Sequence, residues 1–368
     1  MTVQCAILNP RCEIFASDSG ITTPEGKKYD GVEKIFKLSD IHPAKIMING
    51  NMEFENIPME TIINEFKIKT DFKKLRTIED IKNEFIHFVK QYCPISSNNE
   101  YISFVVNRFK ENISFEIEEY GFDNAIKSKK RKEIYPFVKN YSNFNEEFKD
   151  IIPPNRNLEK NTIILWEIFT YYLRYEGTGI IISGYNLNSP YPSFFEINIH
   201  CNSENGINYE EIESKTDFDE TIIRVYAMND EGYTFFTGVN DEFIEYINEY
   251  INTAQENFLQ KLEWTLEKDN IKDIAKIMPT VENLLKEEYS DLDNEINNFR
   301  ENTINDTSKS IQFIPNNLLC ILANEIIRLT GIKQKISSED EYVSINSHIS
   351  LMTKSQGFRW VKYDNKII

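Results

Sequence analysis

Four short apolar runs crowd the first fifty residues of this chain, and they constrain its fold more than any other feature. Residues 2–8 and 12–16 are separated only by Asn9-Pro10-Arg11, and residues 34–38 and 45–49 by a polar stretch holding Ser39, Asp40 and Pro43. Runs this short, each closed by turn-forming residues, read as strands joined in hairpins. The stretch between the pairs, residues 19–31, is rich in Gly, Thr, Pro and Lys and reads as a loop. An antiparallel sheet is therefore expected at this end of the chain.

Helices follow. Residues 57–66 space Ile57, Ile62, Ile63 and Phe66 helically, with Pro58 in the first turn, where proline is tolerated. Residues 77–89 open on Thr77-Ile78-Glu79-Asp80, a capping pattern, and carry Ile78, Ile81, Phe85 and Phe88 on one face. Further helices are predicted over 98–119, 161–175, 241–267, 274–299 and 315–329, the last with Gly331 just beyond its end; the polar residues 302–310 read as a loop. Strands are predicted at 180–185, 193–199, 221–228, 347–352 and 358–363. The order is strands, helices, strands, helices, strands, with no internal repeat. The expectation is one α+β domain over residues 1–368, a four-layer α-β-β-α sandwich with added helices.

Composition removes several functions. The chain of 368 residues carries a formal net charge of −18, so a nucleic-acid partner, which needs a basic surface, is not expected. Its 25 Phe and 19 Tyr can fill a large core. No run of apolar residues is long enough for a membrane span, and Gln4, Asn9 and Arg11 break up any signal-peptide core. The five cysteines, Cys5, Cys12, Cys93, Cys201 and Cys320, have no metal-like spacing and read as packing groups of a cytoplasmic protein. His42, His87, His200 and His348 are scattered, so no metal site and no cofactor is expected. The basic island at residues 127–132 reads as a solvated linker.

The first fifty residues also hold a set of chemical groups. Methionine before a small residue is ordinarily trimmed, which leaves Thr2 with a hydroxyl and a free α-amine; that amine, with a pKa of about 8, can serve as base for its own hydroxyl. Asp18 and Lys34 fall at or near the ends of expected strands. A lysine beside the hydroxyl lowers its pKa, and a carboxylate beside the lysine orients it. Gly50 follows the fourth strand, where its N–H could receive an oxyanion.

At these residues the sequence resembles the N-terminal nucleophile hydrolases of proteasome β-subunit and HslV type. The likeness rests on Thr2, on Ala16-Ser17-Asp18-Ser19, on Glu33-Lys34-Ile35 and on Ile48-Asn49-Gly50, the glycine aligning once two extra residues are allowed. Ser183-Gly184-Tyr185 with Ser193-Phe194-Phe195 resembles the family's central hairpin, and Glu341-Tyr342-Val343-Ser344 its Asp-x-x-Ser motif with glutamate in place of aspartate. The family's Ser-Gly-Ser turn has no counterpart in Tyr226-Ala227-Met228-Asn229-Asp230. The resemblance covers residues 2–95, 178–245 and 312–363 and leaves 96–177 and 246–311 as helical insertions. It implies catalytic roles for Thr2, Asp18, Lys34, Gly50, Ser344 and Glu341, a peptide or protein substrate, and a homo-oligomer, a ring among the forms possible, with no ATPase partner specified. Two other readings stay open: a hydrolase of a small amide, and a catalytically silent assembly protein with the same fold.

Overall fold

The computed structural model describes residues 2–22, 27–39, 41–95, 98–127, 129–174, 176–203, 206–227, 230–269, 271, 273–336, 343–363 and 366–367. The first half contains strands β1 (Val3–Asn9), β2 (Cys12–Asp18), β3 (Ile21–Thr22), β4 (Lys28–Tyr29), β5 (Ile35–Ser39), β6 (Ala44–Gly50), β7 (Glu53–Phe54) and β8 (Ile57–Pro58). Helices α1 (Met59–Lys69), α2 (Ile78–Tyr92), α3 (Asn98–Tyr120), α4 (Phe122–Lys127), α5 (Pro136–Lys139) and α6 (Leu158–Leu173) follow. Next come β9 (Thr178–Tyr185), β10 (Pro192–Ser203), β11 (Gly206–Lys215) and β12 (Ile222–Ala227). The chain continues through α7 (Asp230–Thr237), α8 (Asp241–Lys268), α9 (Ile274–Ile311), α10 (Asn316–Ile336), β13 (Ser347–Thr353), β14 (Gly357–Tyr363) and β15 (Lys366–Ile367).

This is an α+β fold in which every pairing among the described strands is antiparallel. One sheet runs β12-β1-β2-β13-β14-β15 and the other β11-β10-β9-β6-β5. Strand side chains alternate between faces, and the cores sort accordingly. Ala6, Leu8 and Phe15 of the first sheet pack with Ile35, Met47, Ile181 and Phe194 of the second. Val3, Cys5, Ile7, Ile14 and Ala16 point the other way, onto Leu319, Ala323, Ile326 and Ile327 of α10. Ile46, Ile48, Ile180 and Ile182 of the second sheet meet Ile62, Ile63 and Phe66 of α1 and Ile81 and Phe85 of α2. The capping expectation at α2 holds: Thr77 Oγ1 accepts from Asp80 N at 3.0 Å and Thr77 N donates to Asp80 Oδ2 at 2.9 Å, an arrangement worth about 1 kcal/mol.

Several expectations are corrected. Residues 302–310 are helical, because α9 runs on until Ile311 enters the core beneath α10; the polar stretch covers an exposed part of that helix, where Thr303 and Ser310 bond back to the carbonyls of Phe299 and Asp306. The first helix begins at Met59, since Ile57–Pro58 pairs with Glu53–Phe54 as a small ladder and Pro58 becomes the N-cap. Helix α10 continues past Gly331, which is buried against the backbone at Ser344 and Ile345 rather than ending the helix. Strand β11 is masked in the sequence because its glutamates hide the alternation; it pairs with β10 alone, at the sheet's edge. Among the described residues, no helix is long and apolar enough to cross a membrane.

Candidate active site

The hairpin of β1 and β2 sets Gln4 opposite Ser17, so the start of one strand lies beside the end of the other. This brings Thr2 against Asp18. Lys34 comes from the second sheet, immediately before β5, and its carbonyl accepts from Ile48 N of β6 at 3.0 Å. The three side chains meet where the two sheets adjoin. Lys34 Nζ donates to Thr2 Oγ1 at 2.5 Å and to Asp18 Oδ1 at 2.8 Å, and the Thr2 hydroxyl donates to Asp18 Oδ1.

Asp18 is the hub. Its Oδ1 also accepts from Val3 N at 3.1 Å, and its Oδ2 from Gly20 N at 3.1 Å and Ser344 N at 3.3 Å. With that many donors the carboxylate has one orientation available. The group is sequestered: Thr2 is 6 % exposed, Lys34 1 % and Asp18 0 %. An exposed Asp18–Lys34 pair would be worth about 0–1 kcal/mol; this one is buried, where removing a single partner costs about 3–5 kcal/mol. Burial pulls the Lys34 ammonium below its usual range, and the charge and hydrogen bond of Asp18 partly restore it.

Gly50 ends β6 opposite Thr178, with φ at +71°, a left-handed conformation that suits glycine. A Cβ there would lie 2.9 Å from the Gly177 carbonyl oxygen. Ser344 reaches Asp18 through its backbone N–H, while its Oγ accepts from Asn346 N at 3.1 Å. Glu341 lies outside the described residues, as do Met228 and Asn229 of the region compared with the family's serine turn.

Two residues at the site were not anticipated. Gly20 allows the Ser344 backbone to approach Asp18: a Cβ on it would sit 3.1 Å from both Asp18 Oδ2 and Ser344 Cβ. The run Ser17-Asp18-Ser19-Gly20 was the available signal. Gln4 is fully buried and donates from Nε2 to Ile48 O at 2.6 Å; in sequence it is only a polar residue within an apolar strand.

The other nucleophile candidates are poor. All five cysteines are buried and unpaired, and burial pushes Cys5, Cys12 and Cys93 up to about 12. Among the described residues, no group of His, Cys, Asp and Glu is arranged to hold a metal ion. The basic island is partly spent on ion pairs, Lys129 with Glu116 and Lys132 with Glu210.

No protein-family model matches the chain, and no curated protein does. Among solved structures, an Anbu (Gly-1) mutant from Hyphomicrobium sp. strain MC1 matches with 11% identity and a TM-score of 0.30, covering 65% of each chain. Anbu (ancestral beta-subunit) from Yersinia bercovieri matches with 8% identity and a TM-score of 0.38, covering 98% of this chain and 88% of that one. This chain thus spans less than two thirds of the first of these. The motif resemblance to proteasome β-subunits and HslV is corrected by this finding, since these solved structures are Anbu proteins, a different family.

Proposed function

We propose that the chain is an amide-bond hydrolase of the N-terminal nucleophile kind, with Thr2 as the nucleophile once Met1 is removed. The observation that carries this reading is the contact of one buried hydroxyl with both an ammonium and a carboxylate, Thr2 with Lys34 and Asp18. Burying an ion pair costs several kcal/mol of desolvation, about as much as its attraction returns, so packing alone gives no reason to place it on a hydroxyl. The three apolar cores support a four-layer α-β-β-α sandwich around that site. The helices within residues 96–177 and 246–311 are read as additions to that plan; α3, α5 and α6 carry a core of their own around Trp166.

In the proposed reaction Thr2 Oγ attacks the substrate carbonyl and forms the Oγ–C bond as the carbonyl π pair moves onto oxygen. The Thr2 α-amine, directly or through water, takes the hydroxyl proton and passes it to the departing amine. Water then hydrolyses the acyl-enzyme, with the same amine as base. The Lys34 charge favours the alkoxide, Asp18 fixes Lys34, and the Gly50 N–H receives the oxyanion. Ser344, whose N–H holds Asp18, supports the site, and a supporting role for Glu341 rests on its sequence motif alone. A peptide is the first substrate class to try. Thr2→Ala, in the processed protein, is expected to fold and to lose turnover on a panel of fluorogenic peptide amides and simple amides; persisting hydrolysis overturns the assignment.

A further inference from the structure

Strand β6 is tied to the facing sheet at both ends by buried polar side chains. At the end remote from Thr2, Lys45 Nζ donates to the Glu13 carbonyl of β2 at 3.0 Å. At the near end, Gln4 Nε2 of β1 donates to the Ile48 carbonyl at 2.6 Å. Only the NH2 end of an amide can face a carbonyl oxygen, so the orientation of Gln4 follows from chemistry. Gln4 is 0% exposed, and its Oε1 has no hydrogen-bond partner among the described residues. A buried amide that satisfies only one of its ends is a net cost compared with an apolar side chain of the same shape.

The two residues joined by this bond flank the site. Gln4 lies on β1 shortly after Thr2, which immediately precedes that strand, and Ile48 precedes Gly50 closely on β6. The Ile48 N–H also holds the Lys34 carbonyl at 3.0 Å. One amide therefore links the strand bearing the hydroxyl to the strand bearing Gly50 and, through the same residue, to the backbone of Lys34. We propose that Gln4 is a positioning residue for acyl transfer: its bond to Ile48 across the sheets sets the distance between Thr2 Oγ and the Gly50 N–H. It touches neither substrate nor the reacting atoms. The inference rests on Thr2 being the nucleophile.

The test compares wild type, Thr2→Ala, Gln4→Met and Gln4→Glu, measuring kcat and KM on a fluorogenic peptide amide from mildly acidic to mildly alkaline pH. Gln4→Met keeps the length and removes the donor. Gln4→Glu keeps the shape and donates only while its carboxyl is protonated, which burial favours at the acidic end. The expected result is a kcat lowered about tenfold to a hundredfold in Gln4→Met with KM within about twofold, since a displaced reacting group costs rate rather than affinity. Gln4→Glu is expected to approach wild type at the acidic end and fall away from it as pH rises. An inactive Thr2→Ala together with a Gln4→Met whose kcat stays within about twofold of wild type overturns the Gln4 inference alone. So does a Gln4→Glu profile parallel to wild type, and that profile decides the matter if Gln4→Met does not fold. A wild type without turnover, or a Thr2→Ala that retains it, overturns the nucleophile reading and this inference with it.

Discussion

Lys34 Nζ lies 2.5 Å from Thr2 Oγ1, an ammonium just ahead of β5 in one sheet set on a hydroxyl just ahead of β1 in the other. The same nitrogen reaches Asp18 Oδ1 at 2.8 Å, so one cation serves two oxygens. Lys34→Met would leave the fully buried Asp18 without its counter-charge and should cost about 3–5 kcal/mol of stability as well as turnover. Lys34→Arg keeps the charge but replaces a compact donor with a broad planar one. It should fold more stably than Lys34→Met and still fail to turn over. Urea unfolding and kcat on the same preparations separate the two effects.

The Lys34 pKa gives a pH signature. Burial lowers it from 10.5, and Asp18 opposes the shift. If turnover needs the ammonium, the alkaline limb of the rate profile falls below 10.5, and Asp18→Asn moves whatever activity remains to a still lower limb. Stability responds with the opposite sign. Between the lowered pKa and 10.5 the unfolded chain binds more protons than the native one, so Lys34 makes stability rise with pH in that window. An alkaline limb unchanged by Asp18→Asn would contradict this coupling.

Gly50→Ala should be harmful on two counts. The backbone sits at φ +71°, and the added Cβ meets the Gly177 carbonyl oxygen at 2.9 Å. Left-handed backbone costs a non-glycine residue about 1–2 kcal/mol, and relief of the clash shifts the end of β6. The variant should unfold at lower denaturant and lose kcat more than it raises KM. A stable Gly50→Ala with normal kcat would remove Gly50 from the mechanism.

Glu13 and Lys45 form a second, separate ion pair, both 0% exposed and 3.9 Å apart. Lys45 Nζ also lies over the Phe15 ring at 3.8 Å. Burial pushes Glu13 up to about 7, against the pull of Lys45, and brings Lys45 down to about 8, against that of Glu13. Between 4.5 and about 7 the native state holds a proton on Glu13 that the unfolded chain has lost, so this group makes stability fall as pH rises. Lys45→Met alone should destabilise by about 3–5 kcal/mol at neutral pH, whereas Glu13→Gln with Lys45→Met should be neutral or stabilising and lose that pH slope. Thermal melts across mildly acidic pH test both statements. A single variant as stable as the double would contradict them.

The meeting of Thr2, Asp18 and Lys34 was legible because each sits at a strand end, and strand ends gather where short hairpins stack. The remaining partners of Asp18 were not, because Gly20, Val3 and Ser344 reach it through backbone N–H groups, which any residue type provides. Gln4 was opaque for another reason: its acceptor is a carbonyl in the facing sheet, and no local pattern announces such a pairing. The antiparallel sheets and α1 and α2 followed from turn residues and helical spacing. The continuation of α9 through residues 302–310 did not, since its polar sequence is held helical by the burial of Ile311 at its end.

If the Thr2 amine and hydroxyl act together in turnover, the intact mass of catalytically active protein must show it. The active protein should have a mass below that of the encoded chain by one methionine residue, leaving Thr2 with a free amine. Turnover by protein that retains Met1 would contradict it, because an acylated nitrogen cannot serve as the base.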